Sequence, residues 1–316
     1  MERDRRTNNM PILPKQIAFF AATVCVSTAI SAAANEPSLS ERLTFDIMLG
    51  GFHIGDVLVS YEQSTTSYQT QIAVKSHGVV KWFQDFQANM QALGSIETGS
   101  GNPPHPSPGT FSSSWRAQEM AAIMKMSYNP ISRLQTRSER FFNPLTGEDL
   151  DVSELPWFRD QEIKPVPNKL RSGALDPISA FIAARNEILI GGQSDFRIPI
   201  YDGRRRYDLL GEVDLPETIW IRGSDRDLIR VRVAIEPLFG FDKKRTGRMQ
   251  KSSGKAYFTP DDRFLPIQIV VNGALITSVM NLTADCNTDP LPCNNFLAND
   301  TPVREGTMPK YPSLLP

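Results

Sequence analysis

The feature that most constrains this fold is an alternation of apolar and polar residues with a period of two. Residues 68–75 (YQTQIAVK) and 229–235 (IRVRVAI) both show it, with a polar face opposite a mostly apolar one. Such alternation is typical of antiparallel strands that have one buried and one solvated face. The chain holds about ten to thirteen candidate strands of ordinary length. We therefore expect an all-β protein.

Two glycine-containing pairs predict hairpins between these strands. Gly50-Gly51 interrupts an apolar stretch and can supply the positive φ of a tight turn. Asn272-Gly273 is a strong hairpin signal, and it predicts a turn between strands Leu265–Val271 and Ala274–Leu282. The dipeptide Asp202-Gly203 likewise predicts a turn, after a strand that ends at Tyr201.

One segment has helical rather than strand periodicity. Asp176 suits an N-cap, Pro177 suits the first helical position, and Gly191-Gly192 suits the end. A lone amphipathic helix over 176–189 among many strands must cover an apolar sheet face. We therefore predict a single strongly curved antiparallel sheet, or half-open barrel, with this helix on its concave face.

The first 34 residues have the layout of a cleavable signal peptide. A basic stretch precedes the apolar run Ile17–Ile30, which is short for a membrane span, and small residues follow up to Ala34. Cys25 follows Val24 rather than a small residue, which argues against lipidation. Cleavage near Ala34 predicts a periplasmic protein. No later apolar run approaches the roughly 20 residues of a membrane span, so we expect none in the mature chain.

The rest of the chain divides into a β domain and a tail. We assign residues 35–284 to the curved sheet, with a Pro-rich and acidic excursion over 143–174, and residues 285–316 to a mostly disordered tail. Residues 102–109, with four prolines, are predicted to be a loop. Cys286 and Cys293 form an even pair, and we predict a structural disulfide at the start of the tail. A redox pair is the alternative reading.

Composition and motifs exclude several functions. The sequence pI of 6.3 gives no electrostatic reason to bind nucleic acid. Residues 247–256 resemble a phosphate loop, but the spacing is wrong and Ala256 replaces the hydroxyl that would bind magnesium. The three histidines, His53, His77 and His105, belong to no catalytic or metal-binding motif. We therefore expect no cofactor, no metal and no enzymatic activity.

Three clusters are candidates for binding. Arg204 and Arg206 lie on one face of a predicted strand, where they are either paired with nearby acids or form the anion-facing lip of a cavity. Trp82 and Phe86 share a face of a predicted strand over 79–86, either in the core or lining a cavity. The basic segment Lys243–Lys255 is either a solvated face or a peripheral contact for anionic headgroups or polysaccharide.

Several segments together resemble an exported bacterial family, the domain of unknown function 3108. The similar segments are Phe45–Val57, Val79–Phe83, Asp176–Phe181, Ile198–Leu209 and Tyr257–Ile269. The resemblance implies no catalytic residues. It implies a curved antiparallel sheet with an inner helix, similar in fold to periplasmic lipoprotein and lipid carriers. The 143–174 excursion and the Cys286–Pro316 tail look like departures from the family.

We expect a non-enzymatic envelope protein that binds an apolar or lipid-like ligand or an envelope partner. Two alternatives stay open: a structural or interaction module with a packed interior, and a hydrolase with a site that no motif reveals. The residues predicted to lie near a ligand cavity are Trp82, Phe86, Phe181, Ile182, Arg204 and Arg206.

Overall fold

In the part of the chain that it describes, the computed structural model contains fourteen strands in one antiparallel sheet. It describes residues 39–298 except 84, 100–102, 119, 152–163, 222, 243–245, 248, 250–252 and 274–275. The predicted signal peptide and the end of the predicted tail lie outside these residues. The strands are β1 (Leu39–Leu49), β2 (Phe52–Gln63), β3 (Ser67–Ser76), β4 (Gln87–Glu97), β5 (His105–Ala117), β6 (Met120–Tyr128), β7 (Gln135–Phe142), β8 (Asp195–Tyr201), β9 (Arg206–Val213), β10 (Glu217–Ile221), β11 (Ser224–Phe239), β12 (Ser253–Phe258), β13 (Pro266–Asn272) and β14 (Thr277–Asp285).

The sheet is long and curved, and its hydrogen-bonded ladder stays open. Strands pair in the order β7-β6-β5-β4-β3-β2-β1-β14-β13-β12-β11-β9-β8, with β10 paired to β11 off this path. The pairing of β1 with β14 joins the two ends of the domain. β7 and β8 are the edge strands of the path. The predicted fold class, an all-β half-open barrel with one inner helix, is confirmed.

The inner helix fills the concave side of the sheet. Of the helices α1 (Gly78–Phe83), α2 (Asn168–Arg171), α3 (Pro177–Leu189) and α4 (Leu291–Ala298), α3 is the one predicted from sequence. The Asp176 carboxylate accepts hydrogen bonds from the Ile178 and Ser179 amides, at 3.0 and 2.9 Å, as the N-cap prediction requires. Ile178 and Ile182 pack among the residues of the largest core cluster, which includes Tyr61, Tyr68, Ala92, Phe111, Met126 and Tyr201.

A short segment before α3 spans the gap between the two edge strands. Leu175 forms a parallel bridge with Ile200 of β8, through hydrogen bonds Leu175 N to Pro199 O and Tyr201 N to Leu175 O. On the other side, Gln135 of β7 donates its side-chain amide to the carbonyls of Arg171 and Ala174, at 3.0 and 2.8 Å. We call this contact between β7, residues 164–176 and β8 the seam.

The strand predicted over residues 79–86 is wrong, because Gly78–Phe83 forms α1. Gly78 has a φ of +58°, which ends the extended backbone after β3. Five apolar-rich residues are too few to separate a short helix from a strand by periodicity. The helix leaves Trp82 82% exposed, so the predicted core or cavity position of Trp82 is wrong as well.

The loop predicted over 102–109 is wrong in its second half, because β5 begins at His105. Pro106 and Pro108 pair with Ile96 and Gly94 of β4, beside a bulge at Leu93/Gly94. The ladder to β6 begins only at Thr110, so this part of β5 has a neighbour on one side. Proline, which lacks an amide donor, is tolerated at such edge positions and bulges.

The two predicted hairpins are present, but one has a longer loop than expected. Gly50 and Gly51 both have positive φ and connect β1 to β2. In the second hairpin Asn272 pairs with Thr277, so the strand begins at Thr277 rather than at Ala274. The Asn272-Gly273 pair therefore starts a four-residue connection, not a two-residue turn.

The tail prediction is wrong for its first part. β14 extends through Asp285 and α4 follows, with the ring of Phe296 packed beside Leu58 on the outer face of the sheet. Cys286 and Cys293 form a disulfide with a Cα–Cα distance of 6.1 Å, and both are buried in this cluster. Within the 143–174 excursion, Asn143–Asp149 makes a turn against β7, and α2 lies at residues 168–171.

None of the helices in the described ranges is both long enough and apolar enough to cross a bilayer.

Candidate functional site

Two clefts at the seam share Arg204 in their walls. The larger, about 440 Å³, lies between β7, residues 164–171 and the β8–β9 turn, and we call it the cationic cleft. The smaller, about 190 Å³, lies between β5, β6, β7 and the same turn, and we call it the aromatic cleft. Arg204 therefore connects a cationic recess with one that has an aromatic wall, which is a suitable arrangement for a ligand with two different ends.

The β8–β9 turn is built to bring Arg204 to β7. The Asp202 carboxylate accepts hydrogen bonds from the Arg204 and Arg205 amides, at 2.9 and 2.6 Å, as in an Asx turn. Gly203 has a φ of +92°, and a Cβ there would lie 2.4 Å from the Met124 sulfur. Only glycine allows the turn to approach the sheet this closely. The turn predicted at Asp202-Gly203 is present.

Three charged side chains meet where the turn reaches β7. Arg204 makes a two-pronged contact with Glu139, Nε to Oε1 at 3.1 Å and Nη2 to Oε2 at 2.5 Å. Arg137 also pairs with Glu139. Burial lowers the pKa of both guanidinium groups, and Arg204 lowers the pKa of Arg137 further. The Glu139 carboxylate therefore contacts two crowded cations, the Asp202 carboxylate also favours the charged form of both, and an additional anion would reduce their repulsion further.

The linings of the two clefts differ sharply. Among the described residues, the cationic cleft has no acidic residue in its wall and four cations: Arg137, Lys164, Arg171 and Arg204. The aromatic cleft has an apolar wall of Trp115, Ala122, Met124 and Phe141, and the rest of its lining is polar: Ser113, Glu139, Asp202 and Arg204. The Arg204 guanidinium lies 5.2 Å from the centroid of the Phe141 ring, in a cation–π contact. An anionic group fits the first recess and a small apolar group fits the second.

The six residues predicted for one cavity do not come together. Arg204 is at the seam, but Arg206 is buried beside it and already neutralised by Asp208 and the Leu170 carbonyl. Ile182 is 1% exposed in the helix-filled core, whereas Phe181 on the opposite side of α3 is 44% exposed. The prediction of one inner cavity lined by all six residues is therefore wrong.

Phe86 and Trp82 both lie outside the largest core cluster. Phe86 is half-buried and stacks on Trp115 with a centroid distance of 6.5 Å, so it supports a wall of the aromatic cleft. Trp82, in α1, lines neither seam cleft. Of the basic segment Lys243–Lys255, Lys255 lies in β12, while Lys243, Lys244, Arg245, Arg248 and Lys251 fall outside the described residues, so its proposed peripheral contact stays a prediction.

The sequence reasoning missed the contribution of β7. Gln135, Arg137, Glu139 and Phe141 alternate along this strand, and all four take part in the seam. Charged residues at every second position of a strand, where an inward face should be apolar, were the available signal. It was also not foreseen that two histidines, His53 and His77, meet at Asp56.

Comparisons with known proteins give a family resemblance over part of the chain but no activity. A comparison with curated proteins finds no match. A solved structure described as a beta-barrel-like protein of the domain of unknown function DUF1849, from Brucella abortus, aligns with 78% of this chain and 96% of its own, at 12% identity and a TM-score of 0.44.

The family comparison covers residues 164–176 and β8 of the seam but not β7. The match spans residues 143–275, which include three of the five similar segments as well as the excursion, so the excursion is not a departure from the family. The tail lies outside the match. The family model that matches residues 143–275 is the one described as protein of unknown function DUF3108, and the resemblance of this chain to that family is confirmed.

Proposed function

We propose that this protein is an exported, non-enzymatic binding protein for an amphipathic anion, held at the seam. An acyl or alkyl chain would enter the aromatic cleft, and a carboxylate or phosphate head would lie in the cationic cleft. The single observation that carries the proposal is the sharing of Arg204 between the two recesses. Guanidinium groups pair with carboxylate and phosphate through two parallel hydrogen bonds, which gives orientation as well as affinity.

The packed interior favours a ligand site at the seam over a site inside the curved sheet. α3 occupies the concave side, and Ile178 and Ile182 contact the largest core cluster. A ligand inside the sheet would have to displace this helix, at the cost of a substantial part of the stability of the fold. A ligand at the seam displaces only solvent. The proposed ligand therefore binds at the surface, between the edge strands.

Export to the periplasm belongs to the same proposal. The layout of the first 34 residues supports it. The disulfide between Cys286 and Cys293 is compatible with an oxidising compartment, where such bonds persist. Cell fractionation, with alkylation of free thiols before and after reduction, tests both points. A full-length, reduced protein in the cytosolic fraction would contradict this part of the proposal.

The binding proposal is tested with octyl phosphate, which has both parts of the expected ligand. The chain has four tryptophans, and a variant with Trp82, Trp157 and Trp220 changed to Phe retains only Trp115, in the wall of the aromatic cleft. We expect octyl phosphate to change the Trp115 fluorescence at one molecule per chain. Inorganic phosphate and 1-octanol, each with one of the two parts, should bind at least tenfold more weakly.

Matched arginine variants locate the site. Arg204→Gln and Arg137→Gln should each weaken octyl phosphate binding by roughly tenfold, which corresponds to about 1.4 kcal/mol. Arg226→Gln removes an exposed arginine from the β10–β11 hairpin and should leave binding unchanged. Equal binding of 1-octanol and octyl phosphate, or an equal loss in Arg226→Gln, would refute the proposal.

A further inference from the structure

A second cluster of polar side chains lies away from the seam, where β2 meets α1. His53 Nε2 is 2.9 Å from one oxygen of the Asp56 carboxylate, and His77 Nδ1 is 3.2 Å from the other. One ligand atom from each of the three residues lies within 4.8 Å of the others. The two imidazole rings stack with their centroids 4.1 Å apart. Three groups that bind metals therefore lie close together.

A β-bulge places His53 and Asp56 on the same side of the sheet. In the β1–β2 ladder Ile47 pairs with Gly55 and Met48 pairs with His53, so Ile54 is the extra residue. Residues three apart on a regular strand face opposite sides, but one bulged residue between them restores the same side. The bulge thus aims the His53 side chain at the Asp56 carboxylate.

The backbone after β3 supplies the third residue. The His77 amide donates to the Ile54 carbonyl at 2.8 Å, which ties the end of β3 to the bulged residue. Gly78 then adopts its positive φ, and α1 leads the chain away. His77 is consequently fixed beside the bulge by main-chain contacts, and its imidazole can reach Asp56. Backbone geometry, rather than chance packing of surface side chains, holds the three residues together.

We propose that His53, Asp56 and His77 form a binding site for a divalent transition-metal ion, with zinc as the ion that the ligands fit best. Two imidazoles and one carboxylate are a common ligand set for zinc and other first-row metals. Tetrahedral bonds of about 2.0–2.1 Å put neighbouring ligand atoms roughly 3.3 Å apart. The imidazole nitrogens lie 2.9 and 3.2 Å from the two oxygens of the Asp56 carboxylate, close to this spacing, and the partly exposed rings would turn out of their stacked arrangement to bind one ion.

The site is open enough to exchange its ion with solvent. The His77 side chain is 54% exposed, and the side chains of His53 and Asp56 are partly exposed. Three protein ligands leave a fourth tetrahedral position for water or for a donor from another molecule. An accessible site with an open position suits either reversible metal binding or a bridging role at an interface. It differs from closed structural zinc sites, which have four protein ligands.

Zinc titration of the mature, disulfide-bonded chain tests the proposal. We expect one zinc ion per chain by isothermal titration calorimetry and by native mass spectrometry. His53→Gln, Asp56→Asn and His77→Gln should each weaken binding at least tenfold, because even the loss of an outer hydrogen-bond partner weakens metal sites by that factor. His105→Gln is the matched control: it removes the third histidine of the chain, which lies on β5, and should bind zinc like the wild type.

A spectroscopic measurement keeps the test independent of folding. Cu²⁺ bound to the wild-type chain should give an electron paramagnetic resonance spectrum with coupling to two nitrogen nuclei, and His77→Gln should reduce this to one. Absence of stoichiometric zinc binding, or unchanged binding in all three ligand variants, would overturn the site. Asp56→Asn should retain octyl phosphate binding at the seam, so the two proposals can fail separately.

Discussion

The interior around α3 and the seam beside it are built from the same strands but have opposite chemistry. In the interior, apolar side chains surround the helix, and the buried Asp176 carboxylate accepts hydrogen bonds from two amides and from the Ser179 hydroxyl. At the seam, the Glu139 carboxylate contacts two guanidinium groups beside an open cleft. The interior holds its carboxylate with donors of the chain itself, whereas the seam places four cations around an open cleft.

This difference indicates which region stabilises the fold and which is available to a ligand. A buried group that is fully paired within the chain offers nothing to a second molecule, and its loss destabilises the fold. A crowded set of like charges weakens the fold slightly and gains when an anion arrives. We therefore expect interior variants to change stability and seam variants to change the response to anions.

The largest expected effect is that of shortening a core side chain of α3. Ile182→Ala removes a fully buried side chain and should lower the free energy of unfolding by about 3 kcal/mol. Phe181→Ala, at the next position of the same helix, removes a half-exposed side chain and should cost about 1 kcal/mol. Urea denaturation followed by circular dichroism measures both changes. Similar losses in the two variants would show that the interior is not tightly packed around α3.

The second-largest expected effect compares the loss of Glu139 with the loss of one of the two arginines that it contacts. Glu139→Gln removes the carboxylate that contacts both Arg137 and Arg204, and should lower the free energy of unfolding by about 2 kcal/mol. Arg137→Gln leaves the Glu139–Arg204 pair intact and should cost about 0.5 kcal/mol. Thermal denaturation in low-salt buffer measures the difference between the variants.

Added phosphate sharpens this comparison. If the cationic cleft accepts anions, 20 mM phosphate should recover more stability in Glu139→Gln than sodium chloride of equal ionic strength does, because phosphate forms charge-assisted hydrogen bonds with guanidinium groups. Equal recovery in the two salts would indicate simple screening. In that case the crowding of charge at Glu139 would not indicate a specific anion site.

The sequence was sufficient where local rules determine the structure. The capped helix of Asp176 and Pro177, the hairpin at Gly50-Gly51 and the turn at Asp202-Gly203 were all predicted, because each depends on residues within a few positions. The fold class followed from summing many such alternating strands. The disulfide between Cys286 and Cys293 was also predicted, because the chain after residue 34 contains no other cysteine.

The seam could not be predicted, because it depends on how the curvature of the whole open sheet brings its two edge strands near each other. Glu139 and Arg204 are 65 positions apart, and their contact exists only because residues 164–176 hold β7 beside β8. The cluster of His53, Asp56 and His77 was missed for a different reason. A single bulged residue, Ile54, changes which side of the strand faces His53, and periodicity arguments assume that no such residue is present.

The smallest expected effect is the difference in stability loss between removing two buried tyrosine hydroxyls of the interior. The Tyr68 hydroxyl is 2.7 Å from the Ser179 hydroxyl, which in turn donates to Asp176, so Tyr68→Phe should lower the free energy of unfolding by about 1 kcal/mol. The buried Tyr128 hydroxyl has no hydrogen-bond partner among the described residues, and Tyr128→Phe should be neutral within about 0.5 kcal/mol or slightly stabilising. Paired urea denaturation curves distinguish the two. A larger loss for Tyr128→Phe would mean that the interior contains a polar partner for Tyr128, and its chemistry would then resemble that of the seam.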